Sequence, residues 1–424
     1  MKIGILTEFK ELNPGHSLSG VISNQCRMLE RFGHEVHLLV AQEYKSNFPE
    51  PPNVSIDKVV PRCNQIDYHF EKDLTEEHRV FIDNVLVPFY KQELVKYDVI
   101  FTNDLIFTGW LLPYQLGLEK VIQETKQVFF LHFIHSVPPR IEMAQWDWRD
   151  IRRLLPNHKL VSFTQHNKGL IQSTYKAQPD DVVVIPHIID PRVEGDFCQG
   201  AWDLIDQMPN ILQGDIVCVY PASTDRLRAK QVQVHLALFD SFKRRNMRCA
   251  LVIANQWATG RDPQEQKDKY IKFGEVLGLH YGVEFIFTSD IKPEYQAGIS
   301  KKMLRDLHSC ANLFVLPSVE EAYCLVGPEA AHTGQYLVAN NDVGAFHEIY
   351  GDCCHYISFG SMEHSDFYGK SGDYVAEYMD KVSVRVLEGM RNDLAIQAKT
   401  RCRIQNNMDA IYLKYYEGVI NGER

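Results

Sequence analysis

The sequence lacks the features that mark membrane-spanning and disulfide-bonded proteins. No apolar run reaches the roughly eighteen residues that a transmembrane helix needs, so we expect no segment that crosses a bilayer. None of the ten cysteines belongs to a Cys-x-x-Cys pair, and Cys218, Cys249 and Cys310 lie in apolar strand-like or helical stretches. We therefore expect reduced thiols in a cytosolic protein, without a disulfide framework or a zinc site.

We also expect no secretory signal, and the sequence shows no internal repeat or low-complexity segment. Residues 2–6 enter a strand directly, which predicts a cytoplasmic protein. Acidic residues outnumber basic ones, 55 against 45, and the net charge of −10 argues against broad, non-specific binding of nucleic acid. A local basic patch is compatible with that total. At 424 residues, with 45% hydrophobic and 24% charged side chains, the chain is globular in composition and too long for one ordinary core.

Short apolar strands alternate with amphipathic helices along the whole chain. The predicted strands are residues 3–6, 36–40, 99–101, 128–131, 161–164 and 182–185, then 215–220, 250–254, 283–287, 311–316 and 354–357. This alternation predicts two doubly wound α/β domains, with ligands at the carboxyl ends of the strands. We place the domains at residues 1–195 and 196–403, and interpret the polar stretch 191–214 as their connection.

The most informative stretch is residues 316–348, where two glutamates flank a junction of strand, loop and helix. A proline closes the predicted strand 311–316, and Pro328 suits the first turn of a helix because no N–H donor is needed there. Glu321 therefore lies in the loop and Glu329 at the helix start. Carboxylates accept hydrogen bonds from the vicinal hydroxyls of a sugar, and amides of a loop and a helix start suit phosphate. The stretch therefore predicts a nucleotide-sugar site.

This spacing resembles the Glu-x7-Glu signature of retaining GT-B glycosyltransferases. The family pattern also has a Pro-Ser pair before the signature and a Glu-Ala pair at its end. It continues with a small-residue helix that ends in a glycine, which corresponds to residues 330–334. An apolar strand follows at residues 336–339, and then a turn that runs from a glycine to a glutamate at residues 344–348. Chance often supplies a single Glu-x7-Glu, whereas the whole ordered set is specific. The alternative is an ordinary βα unit with exposed glutamates.

The resemblance implies a GT-B fold, an α/β fold in which two doubly wound, Rossmann-like domains face each other across a cleft. A C-terminal helix, here about residues 404–424, would pack back on the N-terminal domain. The resemblance also implies transfer of a sugar from a UDP- or GDP-linked donor to a hydroxyl acceptor, with retention at the anomeric carbon. Glu329 would bind the ribose and Glu321 a hydroxyl of the donor sugar. The phosphate and sugar would be held by the amides of Ala322, Tyr323, Cys324 and Leu325.

Members of this family neutralise the departing diphosphate with a lysine and an arginine from the loop after the first strand of the second domain. In residues 221–230 the lysine corresponds to Lys230. The arginine corresponds to Arg226 or, as second choice, Arg228, because the loop departs from the usual spacing. The alternative is that these are solvated loop cations. The sequence contains no Asp-x-Asp motif, so we predict no catalytic metal and no cofactor besides the donor substrate.

In the first domain the resemblance places a histidine close to the transferred sugar, just past the predicted strand 128–131. His135 matches that position better than His132 and could donate a hydrogen bond to a sugar hydroxyl, whereas a core or capping histidine is the alternative. Gly20 corresponds to one of two loop glycines that approach the substrates in many members, or it merely eases a turn. The family's Pro-Asn-Gly segment has become Pro-His-Ile at residues 186–188, so that turn must differ.

The acceptor is the part of the reaction that the sequence determines least. An unusual segment, residues 146–159, combines Trp148 with Arg149, Arg152 and Arg153. One interpretation is an amphipathic surface helix with Trp148 packed inward and the arginines solvated. The other is a docking surface for a polyanion, either an anionic membrane that presents a lipid acceptor or DNA with hydroxymethylated bases, as in phage enzymes of related fold. A glycan or a small sugar or polyol is a further alternative.

Two other functional classes can share this fold. A nucleotide-sugar epimerase would need acid and base groups near the second carbon of the sugar, and the sequence does not identify them. A non-catalytic relative would be expected to lose the phosphate cations or one of the glutamates, and this chain keeps them. We therefore expect a glycosyltransferase whose base, sugar, acceptor and oligomeric state are left open by the sequence.

Overall fold

The computed structural model describes residues 1–63, 71–107, 109, 111–135, 147–256, 263–321, 324–360 and 372–422. The chain divides into two compact units. One consists of Met1–Ile188 together with Met408–Arg424, and the other of Ile189–Asn407. The division after Ile188 falls before the boundary at residue 195 that we placed from the sequence.

The first unit is built around a sheet of seven parallel strands. These are β1 (Lys2–Leu6), β2 (Glu35–Ala41), β3 (Ser55–Val60), β4 (Val99–Asn103), β5 (Phe129–Phe133), β6 (His158–Ser162) and β7 (Val182–Val184). Their order in the sheet is β3-β2-β1-β4-β5-β6-β7. β1 is paired on both sides, with Ile3 opposite Val36 and Val99. The order of strands therefore reverses between β1 and β4, which is the switch point of a doubly wound sheet.

Helices and short turns connect these strands. The helices are α1 (Ser17–Arg31), α2 (Glu76–Phe81), α3 (Val87–Gln92), α4 (Leu112–Lys120) and α5 (Gln165–Thr174), with a π turn at Ile82–Leu86 between α2 and α3. Turns of 3-10 type lie at Glu71–Asp73, Leu94–Lys96, Asp147–Arg149, Ile151–Arg153 and Pro179–Asp181. β4 is buried along its whole length, because a parallel sheet covered on both faces keeps apolar side chains on both sides of each central strand.

The C-terminal segment of the first unit consists of helix α16 (Met408–Ile411), a π turn (Tyr412–Tyr416) and helix α17 (Glu417–Asn421). Tyr412 stacks on Phe32 with ring centres 3.8 Å apart, and Asp409 forms an ion pair of 2.6 Å with Arg31. We predicted this helical segment from about residue 404, whereas it begins at Met408, because the preceding helix ends at Asn406. The buried side chain of Asn407 donates to two carbonyl oxygens of the preceding turn, which caps that helix.

The second unit contains two sheets of three parallel strands each. The strands are β8 (Ile216–Ser223), β9 (Cys249–Gln256), β10 (Phe285–Phe287), β11 (Leu313–Leu316), β12 (Tyr336–Asn340) and β13 (His355–Ile357). The sheet orders are β10-β9-β8 and β11-β12-β13. Asn312 joins the two sheets at β8 and β11, because its backbone N–H donates to the carbonyl of Val217 and its side-chain oxygen accepts from the N–H of Val217.

Ten helices accompany these strands in the described part of the second unit. They are α6 (Pro191–Glu194), α7 (Gln199–Gln207), α8 (Asn210–Gln213), α9 (Val232–Arg244), α10 (Pro263–Leu277), α11 (Lys301–Cys310), α12 (Val326–His332), α13 (Gly344–Tyr350), α14 (Gly372–Asn392) and α15 (Leu394–Asn406), with 3-10 turns at Thr224–Arg226, Thr288–Asp290 and Pro293–Ala297. The prediction of a polar connection over residues 191–214 is wrong. Three helices occupy it, and Leu204 and Ile211 are buried in the core of this unit.

The prediction of two α/β units with parallel sheets is confirmed. All ten cysteines are free thiols, and six of them are buried. Among the residues that the structure describes, no helix is long and apolar enough to cross a lipid bilayer.

Candidate functional site

An ion pair joins two loops that follow neighbouring strands of the second unit. Lys230 lies between β8 and α9, and Glu321 follows β11. The ammonium group of Lys230 contacts a carboxylate oxygen of Glu321, and the two side chains are only 15% and 11% exposed. Because both loops follow the carboxyl ends of parallel strands, the pair lies where ligands bind in doubly wound sheets.

Gln231, the residue after Lys230, holds three loops together. It adopts a left-handed backbone conformation with φ of 48° just before α9, and its side chain is fully buried. The side-chain nitrogen donates to the carbonyl oxygens of Pro317 and Phe359, at 2.5 and 2.9 Å. This amide therefore connects the segments that follow β8, β11 and β13, and fixes where Lys230 lies.

Asn340, at the end of β12, connects the same loops from the other side. Its side-chain nitrogen donates to the carbonyl oxygens of Ser318 and Gly360, at 3.0 and 2.6 Å. Its side-chain oxygen accepts from the backbone N–H groups of Asp342 and Phe359, at 3.1 and 2.9 Å. All four hydrogen-bonding positions of a buried amide are thus used, which rigidifies the carboxyl edge of this sheet.

Sequence reasoning missed both Gln231 and Asn340. Each is an amide side chain at or beyond the carboxyl end of a strand, and Gln231 directly follows a predicted site residue. Loops at that edge have backbone groups that the sheet does not satisfy, so an amide placed there can bond to several of them at once. The signal available in the sequence was therefore an amide side chain at or just beyond the carboxyl end of a predicted strand.

Glu329 lies in the first turn of α12 and lines a cavity of about 590 Å³. The other lining residues belong to α11, to α12 and to the position after α12, and three of them are cations: Lys301, Lys302, Leu304, Arg305, His308, His332 and Thr333. A carboxylate in such a setting can accept hydrogen bonds from ligand hydroxyls, while the nearby cations can neutralise an anionic ligand. The structure thus pairs Glu321 with Lys230 and places Glu329 against α11.

The loop between the two glutamates is described in part. Cys324 adopts a left-handed φ of 62° and is buried. Burial, followed by the charge of Glu321, raises the pKa of the Cys324 thiol to about 11, so this thiol stays protonated. The side chain of Leu325 is 71% exposed. Ala322 and Tyr323, the other predicted amide donors, lie outside the described residues.

The two candidate arginines lie in the same loop as Lys230. Arg226 ends a 3-10 turn, and its carbonyl oxygen accepts from the N–H of Lys230 at 2.9 Å. Both Arg226 and Arg228 are exposed, in contrast to the largely buried Lys230. Among the residues that the structure describes, no group of three or more His, Cys, Asp or Glu side chains could hold a metal ion.

The two candidate histidines of the first unit have different surroundings. His132 lies within β5 and is fully buried, with its ring nitrogens 2.8 Å from the hydroxyl of Thr102 and 2.9 Å from His158. Burial lowers the pKa of His132 to about 3. His135 lies just past the end of β5, is partly exposed, and has its Nε2 atom 2.8 Å from the side-chain oxygen of Asn103.

Gly20 does not lie in the loop before the first helix, where the sequence analysis placed it. α1 begins at Ser17, so Gly20 belongs to the first turn of that helix. It is exposed, and a Cβ atom added there would meet nothing within 4 Å. The local packing therefore does not require glycine at this position.

The basic segment 146–159 contains two tryptophans, of which Trp146 lies outside the described residues and Trp148 is packed inward. Trp148 is fully buried, and the guanidinium group of Arg149 lies 4.8 Å from its ring centre. Arg149 itself is only 8% exposed. Asp147–Arg149 and Ile151–Arg153 are 3-10 turns, so the segment does not form the amphipathic helix that one interpretation required.

The other two arginines of this segment have acidic partners. Arg152 is paired with Asp150, and Arg153 is paired with Glu71 and Glu119. These carboxylates offset much of the positive charge that a polyanion would contact. In the described part of this segment, residues 147–159, Trp148 is thus buried, and Arg152 and Arg153 are paired with carboxylates.

Comparison with known proteins yields structural neighbours at low similarity. No protein-family model matches the sequence, and neither does any curated protein. A glycosyltransferase from Rickettsia africae ESF-5 is 13% identical, with 100% of this chain and 99% of that chain covered and a TM-score of 0.36. A sucrose-phosphate synthase from Thermosynechococcus elongatus is 16% identical, with 100% of this chain and 98% of that chain covered and a TM-score of 0.36. The trehalose-6-phosphate synthase OtsA is 11% identical, with 100% of this chain and 99% of that chain covered and a TM-score of 0.38. At these scores the likeness carries no argument about the chemistry of this chain.

Proposed function

We propose that this chain is a retaining glycosyltransferase that takes its sugar from a UDP- or GDP-linked donor and transfers it to a hydroxyl group. The observation that supports the proposal best is the meeting of Lys230 and Glu321 in the loops that follow β8 and β11, one strand from each sheet of the second unit. A cation for the diphosphate and a carboxylate for the sugar are brought together there from distant parts of the sequence.

Each charged group has a distinct role in this scheme. Glu329 accepts hydrogen bonds from the two ribose hydroxyls, and the basic side chains around it favour a nucleotide. Lys230 neutralises the charge that builds on the diphosphate as the glycosidic bond breaks. Arg226, or alternatively Arg228, adds a second positive charge from the same exposed loop. Glu321 orients a hydroxyl of the donor sugar.

The ion pair between Lys230 and Glu321 suggests how donor binding prepares the site. The diphosphate carries more negative charge than one carboxylate and competes for the ammonium group of Lys230. Glu321 is then released to accept a hydrogen bond from the sugar. In this scheme the two side chains are preorganised before the donor arrives, which lowers the cost of arranging charge in the transition state.

The proposal includes no catalytic metal, because cationic side chains supply the positive charge. It takes a glycan, a small sugar or polyol, or a lipid as the hydroxyl acceptor. The placement of Trp148 and Arg149 in the interior gives the alternative of a DNA acceptor no support. We therefore assign no role in acceptor binding to the segment around Trp148.

The proposal is tested by incubating the purified protein with a panel of UDP- and GDP-linked sugars. The measurements are the release of free nucleoside diphosphate and, by NMR, the anomeric configuration of the product. We expect one donor to be cleaved with retention. Inversion would contradict the retaining assignment, and a changed sugar without cleavage would indicate an epimerase. If no donor is bound or cleaved, the proposal fails.

A further inference from the structure

A hydrogen-bonded chain of buried side chains ends at His135 in the first unit. The Nε2 atom of His135 lies 2.8 Å from the side-chain oxygen of Asn103, the last residue of β4. The backbone N–H of His135 donates to a carboxylate oxygen of Asp104, also at 2.8 Å. Main chain and ring are thus both held by residues at the carboxyl end of β4.

Asn103 is in turn held by a residue of another element. Its side-chain nitrogen donates to the side-chain oxygen of Gln25 in α1, at 3.0 Å. Asn103 and Gln25 are 5% and 2% exposed. Water therefore cannot readily replace any member of this chain.

The direction of these hydrogen bonds decides which nitrogen of His135 carries the proton. An amide side chain has one donating end and one accepting end. Because the nitrogen of Asn103 is committed to Gln25, its oxygen faces His135 and accepts a hydrogen bond from the Nε2–H group. The neutral imidazole then keeps a lone pair on Nδ1.

We propose that Gln25 and Asn103 are positioning residues that hold His135 as the Nε2–H tautomer, so that its Nδ1 atom accepts a hydrogen bond from a hydroxyl of the substrate. This role is the reverse of the donor role that the sequence analysis suggested for His135. The role toward substrate rests on the proposed function, whereas the tautomer does not.

The surroundings of the ring keep it neutral. Burial, followed by the nearby His187, lowers the pKa of His135 to about 3. Phe163 lies beside it with ring centres 4.6 Å apart, and Phe163 in turn stacks on His187 at 3.8 Å. The carboxylate facing this histidine is that of Asp104, which bonds to the backbone N–H of His135.

The tautomer is measured by long-range ¹H–¹⁵N NMR of the full chain with ¹⁵N-labelled histidine, using His135→Gln to assign the signal. We expect the Nε2–H form at pH 7. In Asn103→Asp a carboxylate replaces the amide next to Nε2, which should raise the pKa of His135 by about 1 to 3. Gln25→Leu should weaken the preference for the Nε2–H form. Gln115→Leu is the matched control, because this buried amide of the same unit bonds to Phe107 and Trp148 instead.

The outcomes separate this inference from the proposed function. An Nδ1–H tautomer in the wild-type protein, or a pKa of His135 unchanged by Asn103→Asp, would overturn the positioning role without any use of substrate. If the Nε2–H form is observed but no nucleotide sugar is turned over, the tautomer stands and the role toward substrate fails. With an active donor, transfer by Asn103→Asp should fall about tenfold per pH unit below the raised pKa. A pH profile identical to that of the wild type would contradict hydrogen-bond acceptance by Nδ1.

Discussion

Lys230 and Glu321 are 91 positions apart in the sequence and form an ion pair between the loops that follow β8 and β11, one strand from each sheet of the second unit. Both side chains are largely shielded from water. Removing one partner of such a pair leaves the other charge without compensation, which is costly when water is excluded. A ligand with stronger charge can replace either partner, and this property suits a site for a diphosphate.

Lys230→Ala should lower the rate of sugar transfer by about a hundredfold or more, because a preorganised charge that stabilises the transition state is lost. Binding of the free nucleoside should change much less. Steady-state kinetics and nucleoside titration measure the two effects. The matched control is Lys243→Ala, which removes a lysine that pairs with Glu284 elsewhere in the same unit. A Lys230 variant within about threefold of wild type would assign the role to another cation, such as Arg228.

Substitution of the two glutamates should have different consequences. Glu329→Ala should abolish donor binding, since ribose is held equally in the ground state and the transition state. Glu321→Gln should mainly lower turnover, because the charge on the donor sugar changes during transfer. Calorimetric titration with nucleoside diphosphate distinguishes them. Equal losses of nucleotide affinity in both variants would contradict the assigned roles.

Transfer should persist in excess EDTA, because the proposed scheme uses cationic side chains at the diphosphate. The assay compares initial rates before and after chelation, and again after addition of Mg²⁺ or Mn²⁺. Complete loss of activity that either ion restores would refute the scheme. Partial stimulation would leave it intact, since Mg²⁺ can assist the release of nucleotide products.

Asn340→Asp should destabilise the second unit although the two side chains have the same shape. The new carboxylate would face the carbonyl oxygens of Ser318 and Gly360, to which the wild-type amide donates. The expected loss at pH 7 is about 3 kcal/mol or more, because one oxygen of the buried carboxylate would face two carbonyl oxygens, while only the other keeps the N–H donors of Asp342 and Phe359. The loss should shrink at acidic pH, where the carboxyl group is protonated and can donate again. Urea denaturation measures it, and the exposed neighbour Asn341→Asp should show little change.

The buried histidines should make the first unit less stable as the pH falls. Burial lowers the pKa of His132 to about 3 and also lowers that of His158. In the unfolded chain these imidazoles take up protons near pH 6.5, whereas in the folded protein they stay neutral. Stability should therefore decrease from about pH 6.5 toward pH 3, by about 1.4 kcal/mol per pH unit for each such histidine.

Urea denaturation at several pH values measures this slope. His132→Phe should lower the stability at pH 7. It should also reduce the slope of stability against pH by the contribution of one histidine, about 1.4 kcal/mol per pH unit. His166→Gln alters an exposed histidine of α5 and should leave the slope unchanged. A stability of the wild type that is constant between pH 6.5 and 4 would contradict the neutral state of these side chains.

The sequence by itself determined the elements that depend on local pattern. Apolar runs predicted most strands of both units, because a strand in a covered parallel sheet needs apolar side chains on both faces. The Glu-x7-Glu stretch was correctly placed at the end of β11 and the start of α12, where proline and the apolar run mark the boundaries. Lys230 was correctly placed just before α9. These features arise from neighbours in the chain.

Tertiary structure decided the contacts between residues that are far apart in the chain. The hydrogen bonds made by the side-chain amides of Gln231 and Asn340 depend on loops that meet only after the sheets have formed. The burial of Trp148 and the acidic partners of the arginines beside it likewise required the packed unit, since the sequence alone could not tell solvated from paired arginines. The break before Asn407 arose because one side chain caps the preceding helix. The sequence determines which groups are available, whereas the packing of distant segments decides which of them meet, because hydrogen bonds and ion pairs act only at short range.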